Sequence, residues 1–385
     1  MKSKFDPKNL LKMKNKYFCN FQKVFYSSSA PLNFFYDLSP NRSLLRIKGE
    51  DTAKFLQSIY SQDVRYLFKE ELEKEKDSIK SLHLRDFDGE KKNGIYGCFL
   101  NSKSRLLFEA FLIKEENEET KSVKMEIDKT LLDPIKKYLS FHKLRSKIQI
   151  EDLQEEENQM VEEEKEICFS LVSNSPSHLD RLKKERGMVM IKDDRIDHCY
   201  RIYSNKKKLR EFDFLTESRI ENYDLIRRWN GVSENQKELS FEENLPFQFN
   251  FDLFDALSIK KGCYVGQELV ARTLFNGEIR KRVFPVFLKS HENQSFPLPL
   301  TNNNPLLASG FHHTPSSSLL NNPFEGLSFD LNSLDGKKVG KVFQNDSLPI
   351  QLALVSLQYL DQPLFKAVQG ETQIYAQILN KSFLN

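Results

Sequence analysis

Hydrophobic and polar residues alternate along several short stretches in the first half of the chain. A period of two is typical of β-strands that bury one face. The stretches are residues 44–48, 96–100, 106–113 and 123–127. The pattern therefore predicts that this part of the chain contributes the strands of a sheet.

Other segments carry apolar residues three and four positions apart, which is typical of amphipathic helices. They are residues 51–59, 131–139 and 216–229. The last one starts at Thr216, a residue type that caps helices by accepting a hydrogen bond from a free backbone amide. We therefore predict three helices here, with Thr216 as the N-cap of the third.

Beyond residue 280 the predicted strands follow one another without helices between them. They cover residues 283–288, 338–343 and 351–356, which indicates a small barrel or sandwich. The residues between the first two are rich in Asn, Ser and Pro, so we expect a long mobile insertion at 293–334.

The composition is that of a folded protein with more than one core. The chain has 385 residues, of which 39% are hydrophobic, and this length exceeds the size that one core usually fills. No apolar run approaches the roughly 20 residues of a membrane helix. We expect two or three domains and no membrane span.

The first thirty residues differ from the rest. They contain seven lysines and one acidic residue, Asp6, and a helical projection separates the lysines from Leu10, Tyr17 and Phe21. A basic amphipathic N-terminus is typical of a mitochondrial presequence, although this one lacks arginine, and it is also compatible with a membrane-surface helix. Its removal would turn the net charge of +3 into −3, so charge gives no argument for direct nucleic-acid binding.

The five cysteines lie 79, 70, 31 and 64 residues apart, without a Cys-x-x-Cys pair. This spacing argues against a self-contained zinc or four-cysteine iron-sulfur site and against a disulfide framework. Cys98 and Cys168 lie in apolar, strand-like stretches and are expected in the core. Cys199 follows His198, but adjacent residues on a strand point to opposite faces, so the pair is a poor metal site.

One segment, KKGCYVGQELVAR, surrounds a cysteine with lysines and glycines. Lys260 and Lys261 place positive charge beside Cys263, which favours the reactive thiolate. Gly262 and Gly266 would allow a sharp turn and a close approach of the backbone to another group. The pattern alone favours Cys263 as a small buried residue at the start of a strand.

This segment and several others resemble a known family. KGCYVGQE is similar to the signature of the YgfZ-type folate-binding-fold proteins, which include mitochondrial iron-sulfur cluster assembly factors. Further similar stretches follow in the family's order at residues 44–53, 55–57, 62–64, 96–105, 138–147, 227–239, 336–342 and 352–355. The resemblance covers most of residues 36–385 and indicates the aminomethyltransferase-like (GcvT) superfamily.

The resemblance implies an α+β, GcvT-like folate-binding fold, with two α+β subdomains and a C-terminal β-barrel around a central opening that can hold a folate. After a presequence at 1–30, the first subdomain would cover 36–150 and the second 151–280, ending in the signature. The barrel would cover 281–385.

The resemblance also implies a function: an assembly factor of the mitochondrial matrix rather than a conventional enzyme. It would bind tetrahydrofolate and act with A-type scaffold proteins in maturing [4Fe-4S] proteins, as a monomer or in a transient heterodimer. Because an iron-sulfur cluster needs several thiolates, Cys263 would act as the functional thiol and supply one ligand of a cluster shared with the partner. The residues expected to bind the cofactor are Glu109, Lys261, Gly262, Tyr264, Gly266, Gln267, Glu268 and Arg272.

Two departures from the family pattern bear on the chemistry. Glu109 stands where the relatives have an aspartate, and Ser104 where they have a glycine. A displacement of about 1 Å can be costly in catalysis, so folate binding is better supported than one-carbon transfer. Arg272 would either balance the charge of a cluster or form a salt bridge within the domain.

The alternative function is a folate-dependent aminomethyltransferase or methyltransferase, which would need Glu109 but not Cys263. A third interpretation, a role in tRNA thiomethylation, would act indirectly through a cluster enzyme.

Overall fold

The computed structural model describes residues 33–68, 92–115, 121–153, 164–239, 241–294, 324–343, 346–362, 364–369 and 372–379. Over these residues the chain forms two five-stranded sheets and a closed barrel. This architecture confirms the predicted α+β class with a C-terminal β-barrel. The predicted presequence and most of the predicted insertion lie outside the described residues.

The strands are β1 (Asn33–Asp37), β2 (Arg42–Lys48), β3 (Gly94–Leu100), β4 (Leu106–Lys114), β5 (Ser122–Asp128), β6 (Gln149–Asp152), β7 (Ile167–Ser173), β8 (Val189–Lys192), β9 (Cys199–Ser204), β10 (Thr216–Ser218), β11 (Lys281–Lys289), β12 (Phe329–Asn332), β13 (Lys338–Val342), β14 (Ile350–Ser356), β15 (Phe365–Gln369) and β16 (Thr372–Ile378). The helices are α1 (Thr52–Ile59), α2 (Leu132–Lys143), α3 (Pro176–Lys183), α4 (Lys206–Arg210), α5 (Ile220–Trp229), α6 (Asn235–Leu239) and α7 (Gln267–Asn276).

The first sheet has the order β3-β4-β5-β2-β6, and all of its neighbours are antiparallel. Alternation along β2 divides its side chains between two faces. Leu45 and Ile47 pack beneath α1 and α2, whereas Arg42 and Leu44 lie on the opposite face. The strands and helices predicted in this region are confirmed, with ends shifted by a few residues.

The second sheet has the order β10-β1-β7-β9-β8, in which only the β10–β1 pair is parallel. Its outer face packs against α3 and α4. Its inner face contributes Tyr36 and Tyr203 to a core that also contains Leu44 and Phe111 of the first sheet. The two sheets therefore pack with their inner faces toward each other.

The helix predicted over 216–229 begins later than expected. Thr216 pairs with Phe34 as part of β10, and α5 starts at Ile220 with Arg219 in the N-cap position. The prediction of Thr216 as an N-cap is wrong, because these residues extend the second sheet beside β1.

The C-terminal strands close into a barrel with the order β11-β14-β13-β12-β15-β16. Its interior is filled by apolar side chains such as Phe284, Leu331, Val355 and Phe365. The strands predicted there are confirmed. Strand β12 falls inside the predicted insertion 293–334, so this end of the insertion is part of the barrel wall rather than a mobile segment.

Candidate functional site

The signature cysteine lies on an irregular segment, residues 255–266, which we call the strap. The strap runs along the end of α1 and is fixed there by hydrogen bonds. The Ser61 hydroxyl donates to the Ala256 carbonyl at 2.7 Å, and the Val265 amide donates to the Ser58 carbonyl at 3.0 Å. A segment that precedes α7 in sequence is thereby attached to the first sheet's helical layer.

A buried lysine provides another attachment. The Lys261 side chain is 6% exposed, and its Nζ donates to the carbonyls of Tyr60 at 2.5 Å and Gln62 at 3.0 Å. The ammonium also lies 4.7 Å from the centre of the Tyr264 ring. Burial lowers the pKa of Lys261 to about 7, although the Asp63 carboxylate acts in the opposite direction.

The two glycines of the signature differ in what they require. Gly266 has a φ of 81°, and a Cβ there would lie 2.7 Å from the Asn101 carbonyl oxygen and 2.8 Å from the Leu100 Cβ. The Gly266 carbonyl also accepts a hydrogen bond from the Ser104 hydroxyl. At Gly262 no atom lies within 4 Å of such a Cβ. The close approach expected of both glycines therefore occurs only at Gly266.

Cys263 is exposed, whereas the other cysteines that the structure describes, Cys98, Cys168 and Cys199, are buried. The interpretation of Cys263 as a core residue at the start of a strand is wrong, and the core positions predicted for Cys98 and Cys168 are confirmed. The Lys261 ammonium binds backbone carbonyls in the interior instead of covering the thiol. Within the described ranges, no three His, Cys, Asp or Glu side chains are grouped to hold a metal ion.

Helix α7 carries the rest of the signature. It begins after Gly266, and the Gln267 amide donates to the Tyr264 carbonyl at 3.1 Å. One turn later Arg272 pairs with Glu268 at 2.7 Å, with the two side chains 65% and 86% exposed. Arg272 thus makes an intradomain salt bridge, and such an exposed pair contributes little to stability.

Glu109 belongs to a different part of the molecule, the space between the two sheets. Its side chain is 1% exposed and pairs with Nη1 of Arg42. The Arg42 Nε lies 2.8 Å from Glu126, which also accepts hydrogen bonds from the Tyr203 hydroxyl at 2.6 Å and the Cys168 thiol at 3.0 Å. The carboxylates here are held by a guanidinium group in a water-poor interior.

Further charged residues complete what we call the central charge network: Arg42, Glu109, Glu126, Asp193, Arg195, Arg201 and Glu234. Arg195 Nη2 lies 2.7 Å from both Asp193 and Glu234. Arg201 donates to Glu234 and to the Tyr223 hydroxyl, the latter at 2.7 Å. Sequence reasoning did not identify any of these residues except Glu109.

The network separates the pKa values of its carboxyl groups. Burial raises the pKa of Glu109, although Arg42 opposes it. Burial also acts to raise the pKa of Glu234, yet Arg201 and Arg195 outweigh it and hold the pKa well below its ordinary value. Glu234 is therefore firmly ionised, and Glu109 is the carboxyl group that accepts a proton more readily.

No family model matches the chain. Among curated proteins it is similar to the mitochondrial iron-sulfur cluster assembly factor IBA57 homolog of Coccidioides immitis, with 29% identity over 310 residues. The protein of the same name from Dictyostelium discoideum is 28% identical over 276 residues. These alignments cover 77% and 66% of this chain.

The chain is a homologue of these proteins. It spans 65% and 63% of the length of the two relatives, which is less than two thirds of each. The homology confirms the predicted family, and the relatives are named as mitochondrial proteins.

The fold has a counterpart among solved structures. The glycine cleavage system aminomethyltransferase T of Bartonella henselae matches with a TM-score of 0.58, over 91% of this chain and 86% of the other. The sequence identity is 11%, so the likeness concerns the fold alone. It confirms the expected GcvT-like architecture.

The predicted site residues of this chain lie in two separate parts of the molecule. Cys263 and Gly262 are exposed on the strap, where Lys261 and Tyr264 are buried, whereas Glu109 lies between the sheets. Ser61 connects the two places, because its hydroxyl binds the strap and accepts the Cys98 amide at 2.8 Å, and Cys98 pairs with Glu109 across β3 and β4. No helix in the described part of the chain combines the length and apolar character that a bilayer span requires.

Several buried atoms of the central charge network have no hydrogen-bond partner. They are Glu109 Oε2, Arg42 Nη2, Arg195 Nη1, and Nε and Nη1 of Arg201. Buried polar atoms are rarely left in this state unless they serve a ligand, an ion or water. The network thus leaves one carboxylate oxygen and several guanidinium N–H groups without a hydrogen bond in the interior.

Proposed function

We propose that this protein acts in iron-sulfur cluster assembly and that Cys263 supplies one ligand of a cluster shared with a partner. The supporting observation is that Cys263 is exposed, on an anchored strap, while the other described cysteines are enclosed in cores. The names of the homologues agree with this role.

The cluster is cargo rather than a resident cofactor. Iron-sulfur clusters of the common types are held by four ligands, mostly thiolates. This chain supplies one, so the partner supplies the others, and an A-type scaffold protein is the partner we propose. Gly262 leaves the approach to Cys263 open, since no atom lies within 4 Å of where its Cβ would be.

The strap positions the thiol before the partner arrives. Hydrogen bonds from Ser61 and Lys261 and the tight contact at Gly266 fix it on both sides of Cys263. A ligand held in place in this way reduces the conformational entropy that is lost on binding.

We further propose that the central charge network binds tetrahydrofolate, with Glu109 and Arg42 as the residues that hold it. The free oxygen of Glu109 can accept hydrogen bonds from the amino and ring N–H groups of a pterin, while Arg42 fixes the other oxygen. Tetrahydrofolate would supply a carrier for one-carbon units. Arg42 would keep the carboxylate oriented, and the surrounding sheets would exclude water.

A second candidate function is folate-dependent transfer of an aminomethyl or methyl group. The observation that favours it is the raised pKa of Glu109, because a buried carboxyl group can exchange a proton with a reacting amine. This function requires Glu109 and leaves Cys263 without a role.

Anaerobic reconstitution separates the two functions. The full chain and an A-type scaffold protein are mixed with iron and sulfide, and cluster formation and aconitase activation are measured for the wild type, Cys263→Ala and Glu109→Gln. The exposed barrel residue Ser290 provides a control variant, Ser290→Ala.

We expect Cys263→Ala to lose the shared cluster, with Glu109→Gln and Ser290→Ala unaffected in cluster assembly. Unchanged cluster formation and transfer by Cys263→Ala would rule out the shared-ligand function. One-carbon transfer that depends on Glu109 and persists in Cys263→Ala would establish the second function instead.

A further inference from the structure

The end of α2 exposes two large apolar side chains. Phe141 is 74% exposed and Leu144 is 87% exposed, the highest values among the large hydrophobic residues that the structure describes. We call Phe141 and Leu144 the knob. Single exposed apolar residues are common on protein surfaces. Two large ones at the same helix end, both mostly outside the core, need an explanation.

The backbone of the knob adds a second, independent observation. Leu144 has φ 45° and ψ −112°, a conformation that non-glycine residues adopt only under constraint. The constraint comes from the next residues, where the Ser146 amide donates to the Lys143 carbonyl at 2.8 Å and the Lys147 amide donates to Asp51 at 2.7 Å. A strained leucine is thus held in solvent by contacts that the following residues make.

A row of rings connects the knob to the surroundings of the strap. The Tyr138 and His142 rings are 4.4 Å apart, and the His142 and Phe141 rings are 5.1 Å apart. At the other end of the row the Tyr138 hydroxyl donates to the Leu100 carbonyl at 3.3 Å, and Leu100 is the residue against which Gly266 packs. The knob and the strap are therefore connected through Tyr138 and Leu100.

The separation between them fits one protein interface. Cys263 is three residues from Gly266, at most roughly 10 Å, and helix α2 rises about 8 Å from Tyr138 to Lys143, the residue before Leu144. With the contacts at Leu100 and the length of the Tyr138 side chain added, this path limits the separation of the thiol and the knob to on the order of 30 Å. A standard interface covers about 800 Å² on each partner, which spans such a distance.

The charges around the knob describe what it binds. Lys137 and Arg145 are exposed and Lys143 is half-buried, so three basic residues lie within four positions of the apolar pair in the sequence. The nearby Lys147 already pairs with a carboxylate, Glu50, at 2.8 Å. A complementary surface has an apolar pocket with carboxylates around its rim.

We propose that the knob and the strap form one docking surface for the protein that shares the cluster. Phe141 and Leu144 enter an apolar pocket of that partner, and its acidic rim faces Lys143 and Arg145. This inference rests on the proposed function, since it takes the cluster-sharing partner as the occupant. Docking at the knob would bring the partner's thiolates to Cys263.

Titration calorimetry with an A-type scaffold protein tests the proposal. The variants are Phe141→Ser, Leu144→Gly and Arg145→Glu, with Leu334→Ser as the matched control because Leu334 is 49% exposed on the barrel. Glycine accepts the backbone conformation of Leu144, so Leu144→Gly separates binding from folding. We expect Phe141→Ser and Leu144→Gly each to weaken the Kd about tenfold and Arg145→Glu about threefold or more, with Leu334→Ser unchanged.

The outcomes distinguish the knob from the proposed function. If the wild type binds and transfers the cluster but Phe141→Ser and Leu144→Gly bind equally well, the knob is not part of the interface and the proposed function stands. If the wild type does not bind the scaffold protein, both fail. Cosedimentation with vesicles of phosphatidylcholine and cardiolipin that is lost in Phe141→Ser would assign the knob to a membrane surface and overturn the proposal.

Discussion

Replacing Lys261 by methionine should loosen the strap without disturbing the packing around it. Methionine keeps an unbranched apolar side chain of similar volume but removes the hydrogen bonds to the carbonyls of Tyr60 and Gln62. Each buried carbonyl that loses its donor costs about 1–3 kcal/mol, and part of this loss is offset because no amine has to be buried. We expect the free energy of unfolding to fall by about 2 kcal/mol at pH 9.

The effect of this substitution should depend on pH in a defined direction. The pKa of Lys261 in the folded protein is about 7, below the ordinary value of 10.5. Between these values only the unfolded chain carries the proton, so the stabilisation is fully present above pH 10.5 and is lost as the pH falls toward 7. The wild type should therefore lose stability relative to Lys261→Met as the pH decreases, by at most about 1.4 kcal/mol per pH unit.

Urea denaturation at pH 7 and pH 9, together with hydrogen exchange of the Val265 amide, measures both effects. The exposed Lys281 at the start of β11 provides the control variant Lys281→Met. Faster exchange at Val265 in Lys261→Met, but not in the control, would show that the strap opens locally. Two results would refute the role given to Lys261. One is equal stability and equal protection in both variants. The other is a stability advantage of the wild type over Lys261→Met that grows as the pH falls.

Three other substitutions test separate features. Gly266→Ala should destabilise the protein by about 2–4 kcal/mol in thermal unfolding, because the φ of Gly266 is 81° and a Cβ would lie 2.7 Å from a carbonyl oxygen. The control Gly262→Ala should change the stability by less than about 0.5 kcal/mol, and equal effects of the two substitutions would contradict this contrast. Glu109→Leu should cost about 3–5 kcal/mol in urea unfolding, because it removes one of the two carboxylates that pair with the buried Arg42 and leaves only Glu126, and Glu109→Gln should cost less. A neutral Glu109→Leu would refute the pairing. Leu144→Gly should raise the stability by about 1 kcal/mol through relief of strain, and a loss of stability would show that the leucine is packed rather than strained.

The elements of the first sheet could be predicted because their pattern is local. Leu45 and Ile47 alternate with Leu44 and Arg46 along β2, so the sequence itself shows which side chains share a face. The start of α5 could not be predicted in this way. Thr216 has the properties of a cap, but pairing with Phe34, far away in sequence, decides its conformation.

Parts of the candidate site also depend on contacts between distant residues. The burial of Lys261 follows from carbonyls of Tyr60 and Gln62, 201 and 199 residues earlier, and no local pattern announces it. A lysine beside a cysteine in sequence therefore says little about charge beside the thiol in space.

One feature of the central charge network could have been detected in the sequence. Cys199, Arg201 and Tyr203 are two residues apart along β9, so they share one face of the strand, and all three are buried. A charged residue at a buried position of a strand requires a partner. The identity of that partner, Glu234, depends on the tertiary fold, so the pattern could have indicated a buried charge but not the network.

The central claim is that Cys263 is a ligand of a cluster shared with a partner, and a change of ligand atom tests it most directly. Cys263→Ser replaces a thiolate ligand with a serine oxygen at the same exposed position. It should therefore alter the spectrum of the shared iron-sulfur cluster and leave the fold unchanged. The measurement is the absorption and electron paramagnetic resonance spectrum of the anaerobically reconstituted complex with the A-type scaffold protein. The account predicts a cluster that is absent or spectrally shifted in Cys263→Ser, whereas spectra and cluster content identical to the wild type would contradict it.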